Sequence, residues 1–219
     1  MFEADLCRQA QRLADFIETR QFEPVTQHTP YCHMGATITD SILQAGLNYR
    51  YIVYPRVYRL LAEFPGYKTT CDFIILMQTI PLSELIDWHN TKKLQLIQHI
   101  SWLFYDSNIE TEAQLAVWLT ESRNIQRLIE MKGVGPKTVD YLNLLSGNQT
   151  IAIDRHLFSF LRLSGIFTDS YEEASSIYRR AVDLLGMSEY ELDRKIWSYM
   201  SNQRSNKKSN LLTKKHAYV

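Results

Sequence analysis

With 219 residues, 45% hydrophobic and 22% charged, the chain has material for one large domain or two small lobes sharing a cleft, and no apolar run approaches a membrane span. Its 24 basic and 24 acidic residues cancel, which excludes a uniformly basic coat, so affinity for a polyanion has to come from local patches. Three scattered cysteines, Cys7, Cys32 and Cys71, with no C-x-x-C, exclude a disulfide framework.

The first residues are acidic and amphipathic and lack the basic and apolar regions of a signal peptide, so a cytoplasmic protein is expected, nucleoid-associated if bacterial. Leu6, Ala10, Leu13, Ala14 and Ile17 fall at i, i+3, i+4 spacing and predict a first amphipathic helix. The stretch 22–33, interrupted by proline and histidine, reads as a short strand or a loop. Further helices are predicted over 38–47, 52–64, 69–77 and 81–88, with breaks at Pro65-Gly66 and Thr79-Ile80-Pro81. Helices follow over 94–104 and 111–119, then a pair over 123–131 and 136–145. Pro136 suits a first helical position, where no intrahelical partner exists for the N–H that proline lacks. Asp154 is placed to open a helix over 155–163, and 171–185 and 188–200 complete an all-α fold. No repeat occurs. The segment 203–219 reads as a mobile basic tail with Arg204, Lys207, Lys208, Lys214 and Lys215 and no acid, which leaves the rest of the chain at −5. A second basic patch runs from Arg123 through Arg127, Lys132, Lys137 and Arg155 to Arg162, against Glu130, Asp140 and Asp154.

The densest chemistry lies in Met131-Lys132-Gly133-Val134-Gly135-Pro136-Lys137-Thr138, followed by the apolar run Thr150-Ile151-Ala152-Ile153 ending in Asp154-Arg155-His156. Two glycines permit a tight turn between helices and leave backbone N–H groups uncovered for an anionic oxygen. Taken alone, such a turn is also an ordinary helix connection, Lys137 an exposed lysine on a phosphate, and Asp154 a helix cap.

The combination resembles the helix-hairpin-helix DNA glycosylase superfamily, whose pattern is L-P-G-V-G-x-K-T followed by an apolar run ending in Asp. Met131-Lys132 stands here for Leu-Pro, and Pro136 stands where many relatives carry a basic residue. The resemblance is strongest over 129–160. It implies two helical lobes with a cleft between them and the hairpin, 123–145, at its mouth; the lobes would comprise 1–35 with 150–202, and 36–149. It also implies a bifunctional glycosylase and AP lyase with Lys137 as nucleophile and Asp154 as the carboxylate that stabilises the sugar cation. Gly133, Val134, Gly135, Thr138, Lys132 and Arg155 would hold the DNA backbone, and Gln44, Asn48 and Tyr49 would serve as wedge or base pocket. Tyr51, Tyr54 and Tyr58 fit either a stacking pocket or core packing. No organic cofactor or catalytic metal is expected, although the resemblance implies a structural monovalent cation at the hairpin. No cysteine follows Cys71, so the iron–sulfur cluster of many endonuclease III relatives is not expected. The expected partner is double-stranded DNA carrying a damaged base, bound by a monomer. Glu191-Leu192-Asp193 with Trp197 resembles a segment of compact 8-oxoguanine glycosylases and leans the substrate toward an oxidised purine; the same residues fit the core face of a terminal helix. Two rival functions share the motif: a monofunctional glycosylase of alkylated bases, and a non-enzymatic helix-hairpin-helix module.

Overall fold

The computed structural model describes residues 3–25 and 29–216, with side chains through 202. These residues form twelve α-helices and one π-helical turn, with no strand among them. In chain order the elements are α1 (Glu3–Glu18), α2 (Met34–Leu43), the π turn (Tyr49–Val53), α3 (Tyr54–Glu63), α4 (Thr70–Thr79) and α5 (Leu82–Leu85). There follow α6 (Thr91–Asp106), α7 (Glu112–Trp118), α8 (Ser122–Ile129), α9 (Pro136–Ser146), α10 (Arg155–Leu163), α11 (Tyr171–Leu185) and α12 (Glu189–His216). None of the described helices is long and apolar enough to cross a membrane. Two compact units result: His28–Thr150 is one continuous stretch, and Met1–Gln27 joins Ile151–Val219 to form the other.

The continuous unit is built around α2. Its sequence, MGATITDSIL, is apolar or small on every side apart from Asp40, and all ten of its residues are buried, as a helix without a polar face requires. It packs against α3, α4, α6 and α9. Gly35 lets α4 approach closely: a Cβ there would sit 2.5 Å from the ring of fully buried Phe73. Sequence periodicity predicted this helix over 38–47, but it begins earlier because His33 caps it, its Nδ1 accepting the Ala36 N–H at 3.2 Å. Glu112 of α7 accepts from the His33 N–H and from the Thr37 hydroxyl, both at 2.8 Å, and so fixes that end. Burial pushes the His33 pKa below its ordinary value, consistent with a neutral ring that accepts from Ala36 on one side and meets the Phe64 carbonyl on the other.

After α2 the chain turns at Gly46, whose φ is +82°. The helix predicted over 52–64 is instead the π turn followed by α3, with Pro55 in the first turn of α3.

In the unit made from the chain ends, α1 lies along α11 and buries Ala10, Leu13, Ala14 and Ile17, the face read from the sequence. Each large side chain there contributes about 1.5–3 kcal/mol on burial. Arg12 donates from Nε to the Ser164 carbonyl at 2.7 Å, and its guanidinium fills the space where Gly165 (φ +78°) has no side chain. Phe16, Phe22 and Tyr199 gather on the ring of Phe160. Tyr178 is fully buried, and its hydroxyl donates to the Leu157 carbonyl at 2.9 Å. The backbone of α12 continues to His216, through the segment read as a mobile tail; the basic side chains expected over 203–219 lie outside the described residues.

Candidate functional site

Helices α8 and α9 pack on each other and are joined by a connection over residues 130–135. The Val134 N–H donates to the Met131 carbonyl at 2.9 Å and closes the turn, with Val134 itself buried in the core. Gly133 has φ +103°, the left-handed region that favours glycine, and a Cβ there would meet Leu96 of α6 at 3.2 Å. The turn is therefore supported from below by α6. Gly135 differs: its backbone is extended, at φ −125°, and nothing lies within 4 Å of a Cβ built on it. Nothing in the protein's own packing requires glycine at 135. What the missing side chain leaves is open space beside the first turn of α9, whose N-terminus carries no side-chain cap.

Pro136 has no N–H to offer there, and Lys137 follows, half-buried. Thr138 is buried, and Lys132 is exposed at the turn. Of the other cations in the basic patch, Arg123 pairs with Glu121 at 2.7 Å, Arg162 pairs with Asp169, and Arg127 lies over Trp118. Lys132 and Arg155 are exposed. The patch is thus narrower than the sequence count of cations implied.

Asp154 belongs to the other unit, where it caps α10. Its Oδ1 accepts the N–H of His156 at 2.7 Å and of Leu157 at 3.1 Å, while Oδ2 accepts no hydrogen bond among the described residues. The expected cap is real and engages one carboxylate oxygen. Arg155 and His156 open the same helix, with His156 buried and its ring 6.1 Å from that of Trp197. Asp193 accepts the Ala152 N–H at 3.0 Å and holds the run before Asp154 against α12, where Leu192 and Ile196 are core. Leu192 and Ile196 thus lie on the core face of this helix, and Trp197 is half-buried. Lys137 and Asp154 lie in different units.

The residues expected as wedge or pocket do not share a helix. Gln44 ends α2, and exposed Asn48 caps the π turn through Oδ1, which accepts the Tyr51 N–H at 3.1 Å. Half-buried Tyr49 enters a network that sequence reasoning missed. Asp40, fully buried in α2, accepts the Tyr31 hydroxyl at 2.7 Å and the Tyr141 hydroxyl at 3.4 Å, and Tyr31 meets the Tyr49 hydroxyl at 3.2 Å. Burial, with the Asp40 charge beside it, pushes the Tyr31 pKa far up and keeps its proton in place for donation. Tyr51, Tyr54 and Tyr58 are exposed at 70%, 48% and 56%, so core packing does not explain them.

The second residue missed is Lys93 of α6. Its ammonium donates to the carbonyls of Ile42 at 2.6 Å and Ala45 at 3.0 Å, where α2 ends. Burial first, and the charge of Lys137 second, hold its pKa below the ordinary lysine value.

No group of three His, Cys, Asp or Glu side chains that could hold a metal ion occurs among the described residues. The carbonyls of Met131 and Gly135 are engaged within the turn and first helical turn. Compared with protein-family models, curated proteins and solved structures, the chain finds no match.

Proposed function

We propose that the protein is a DNA glycosylase with AP lyase activity, acting on an oxidised or otherwise modified base in duplex DNA through Lys137 and Asp154. The observation that carries this reading is Gly135, a glycine that the backbone and the packing leave unexplained, beside an uncapped helix start one residue before Pro136-Lys137. A phosphate oxygen needs such an opening to reach backbone N–H groups at the positive end of a helix. Duplex DNA would be held there with help from exposed Lys132, and from Arg155 in the other unit, while Thr138, expected to join them, is buried. The continuous unit and the unit made from the chain ends are read as the two lobes of the enzyme.

In this mechanism the neutral amine of Lys137 attacks C1′ of the target nucleotide. The glycosidic bond breaks, and its electron pair leaves on the base, which takes up a proton. The carboxylate of Asp154 stabilises positive charge as it develops on the sugar. One of its oxygens stays on the α10 cap, which fixes the group in place, and the other accepts no hydrogen bond from a described residue. The sugar ring then opens to a Schiff base on Lys137. Loss of a C2′ proton expels the 3′ phosphate and nicks the strand, and water releases the amine. The target nucleotide must leave the stack first, and exposed Tyr51, Tyr54 and Tyr58 offer faces on which a base could rest.

Borohydride added during turnover on a panel of single-lesion duplexes tests the reading, with oxidised purines as the first substrates. A covalent protein–DNA adduct is expected from the wild type and none from Lys137→Gln, which should still bind the duplex. An adduct that persists in Lys137→Gln places the Schiff base on another lysine. Base release without adduct or nicking identifies a monofunctional glycosylase in which Asp154 activates water. Binding without base release identifies a DNA-binding module.

A further inference from the structure

Four of the 13 tyrosines, Tyr49, Tyr51, Tyr54 and Tyr58, crowd into one short stretch of the chain. The last three, spaced by three and then four residues, follow one side of the π turn and α3, and all three are exposed. The opposite side of the same elements is core, where Val53, Val57 and Leu60 are completely buried. Folding of α3 therefore draws on the aliphatic residues and makes no use of the outward rings. The Tyr58 ring lies 5.9 Å from that of Tyr54, 30° from parallel, and Tyr54 lies 6.3 Å from Tyr49. Tyr49 ties the inner end of this row to the core. Its hydroxyl meets that of Tyr31, which donates to buried Asp40, and Asp40 also accepts from Tyr141, one helical turn beyond Lys137 on α9.

Local charge points to the occupant. Between Asp40 and Glu63 the chain carries Arg50, Arg56 and Arg59 and no acid. Arg59 pairs with Glu63 at 3.1 Å, and Arg56 is engaged by the Asp87 carbonyl and the Trp88 ring. Exposed Arg50 has no ion pair among the described residues and lies over the Tyr51 ring, 5.9 Å from its centroid. A row of rings flanked by a cation and free of acids suits a ligand that presents flat faces and negative charges in alternation. We propose that this face binds a single strand of DNA, its unpaired bases stacking on Tyr51, Tyr54 and Tyr58 and a phosphate meeting Arg50. Only the choice of DNA rests on the function proposed above. The binding itself needs neither Lys137 nor Asp154, and it extends the substrate from a duplex with one extruded base to DNA unpaired around the lesion.

A duplex covers the faces of its bases, and only a strand out of the stack offers them to a side chain. Such stacking tolerates any sequence, because every base has a flat face. Tyrosine also fits an exposed row better than phenylalanine does, since its hydroxyl stays hydrated beside an apolar ring. Through Tyr49, Tyr31, Asp40 and Tyr141 the row is joined to α2 and α9, so a strand lying on it is held by the unit that carries the hairpin.

The test compares, by fluorescence anisotropy, a short oligothymidylate with an abasic strand that has the same phosphates and no bases. The wild type should bind oligothymidylate about tenfold more tightly than the abasic strand. Tyr54→Ala and Tyr58→Ala should each lose about tenfold on oligothymidylate and little on the abasic strand, whereas Tyr54→Phe should bind as the wild type does. Arg50→Gln should weaken both strands alike and reduce the salt slope by about one phosphate contact. Equal affinity of the wild type for the two strands overturns the proposal, as do alanine variants that keep full affinity for oligothymidylate or lose both strands equally. Self-association that Tyr54→Ala abolishes while oligothymidylate binding survives would assign the face to a second copy of the chain and likewise overturn it. Should an alanine variant fail to fold, photocrosslinking of the wild type to an iodouracil-containing strand carries the test. Mass spectrometry should then find crosslinks at Tyr51, Tyr54 or Tyr58, and crosslinks only elsewhere overturn the proposal. Discrimination between the strands without borohydride trapping supports the single-strand site and sinks the glycosylase reading; trapping without discrimination does the reverse.

Discussion

In the proposed mechanism Asp154 has two separable duties, and an Asn and an Ala at this position pull them apart. The cap consists of two hydrogen bonds to Oδ1, from His156 and Leu157. Asn keeps that oxygen and ranks with Asp as an N-cap, so Asp154→Asn should lose only the attraction between the carboxylate and the helix, about 0.3–1 kcal/mol. Asp154→Ala loses the cap as well, about 1 kcal/mol more. At about 2–4 °C per kcal/mol for a chain of this size, the Ala variant should melt about 3–8 °C below the wild type and the Asn variant about 1–4 °C below it. Catalysis should not follow that order. If the charge is what the reaction uses, both variants should lose about 10²–10³ in single-turnover base release, as removal of one electrostatic stabiliser does elsewhere. Thermal melts and single-turnover assays on the same preparations check this. An Asp154→Asn protein within about threefold of wild-type rate, beside a slow Asp154→Ala protein, would reduce Asp154 to a helix cap and refute the mechanism.

The two hairpin glycines should separate in a similar way. Gly133→Ala forces φ +103° on a side chain that also meets Leu96, and should cost about 1–2 kcal/mol in a denaturant titration. Gly135→Ala should leave stability within about 0.5 kcal/mol, since its backbone and surroundings accept a Cβ, yet weaken duplex binding; unchanged affinity would argue against phosphate at that opening. His33 has a folded-state pKa lowered by burial, so its contribution is present above the ordinary value of 6.5 and is lost as pH falls from there toward the folded-state value. The melting temperature should decline over that window, and His33→Asn, which keeps a capping oxygen, should flatten the decline. Gly35→Ala gains about 1 kcal/mol of helix propensity but drives a Cβ to 2.5 Å from the Phe73 ring, whose cost of overpacking is larger; a net loss of about 1–2 kcal/mol is expected in the same titration.

Local signals were legible where they were complete. The Asp154 cap, the proline start of α9, and the 171–185 span of α11 could all be read because a capping residue, a breaker or a strong apolar period marks each. The start of α2 could not, because histidine stands outside the usual set of capping residues. The helix read over 38–47 ends at Leu43, with Gly46 breaking the chain beyond it, so Gln44 lies apart from Asn48 and Tyr49. One signal for the buried network was present: an acid, Asp40, in a run that is otherwise apolar or small must find donors, and three tyrosines supply the cluster. Lys93 left no local trace. Its role depends on carbonyls that folding alone brings to it, and spacing does not encode such contacts.

The division of the chain also sets an order of events during synthesis. Everything α2 packs against is made within one uninterrupted stretch, so that unit can assemble once residue 150 has emerged. Helix α1 is made long before the helix it packs against. Its face of Ala10, Leu13, Ala14 and Ile17 belongs against α11, which is translated after the whole of the other unit. At about 5–20 residues per second, that apolar face waits on the order of ten to thirty seconds. The nascent chain therefore carries a sticky helix for that interval, and loses it as a liability only when the stretch beyond Asp154 has arrived.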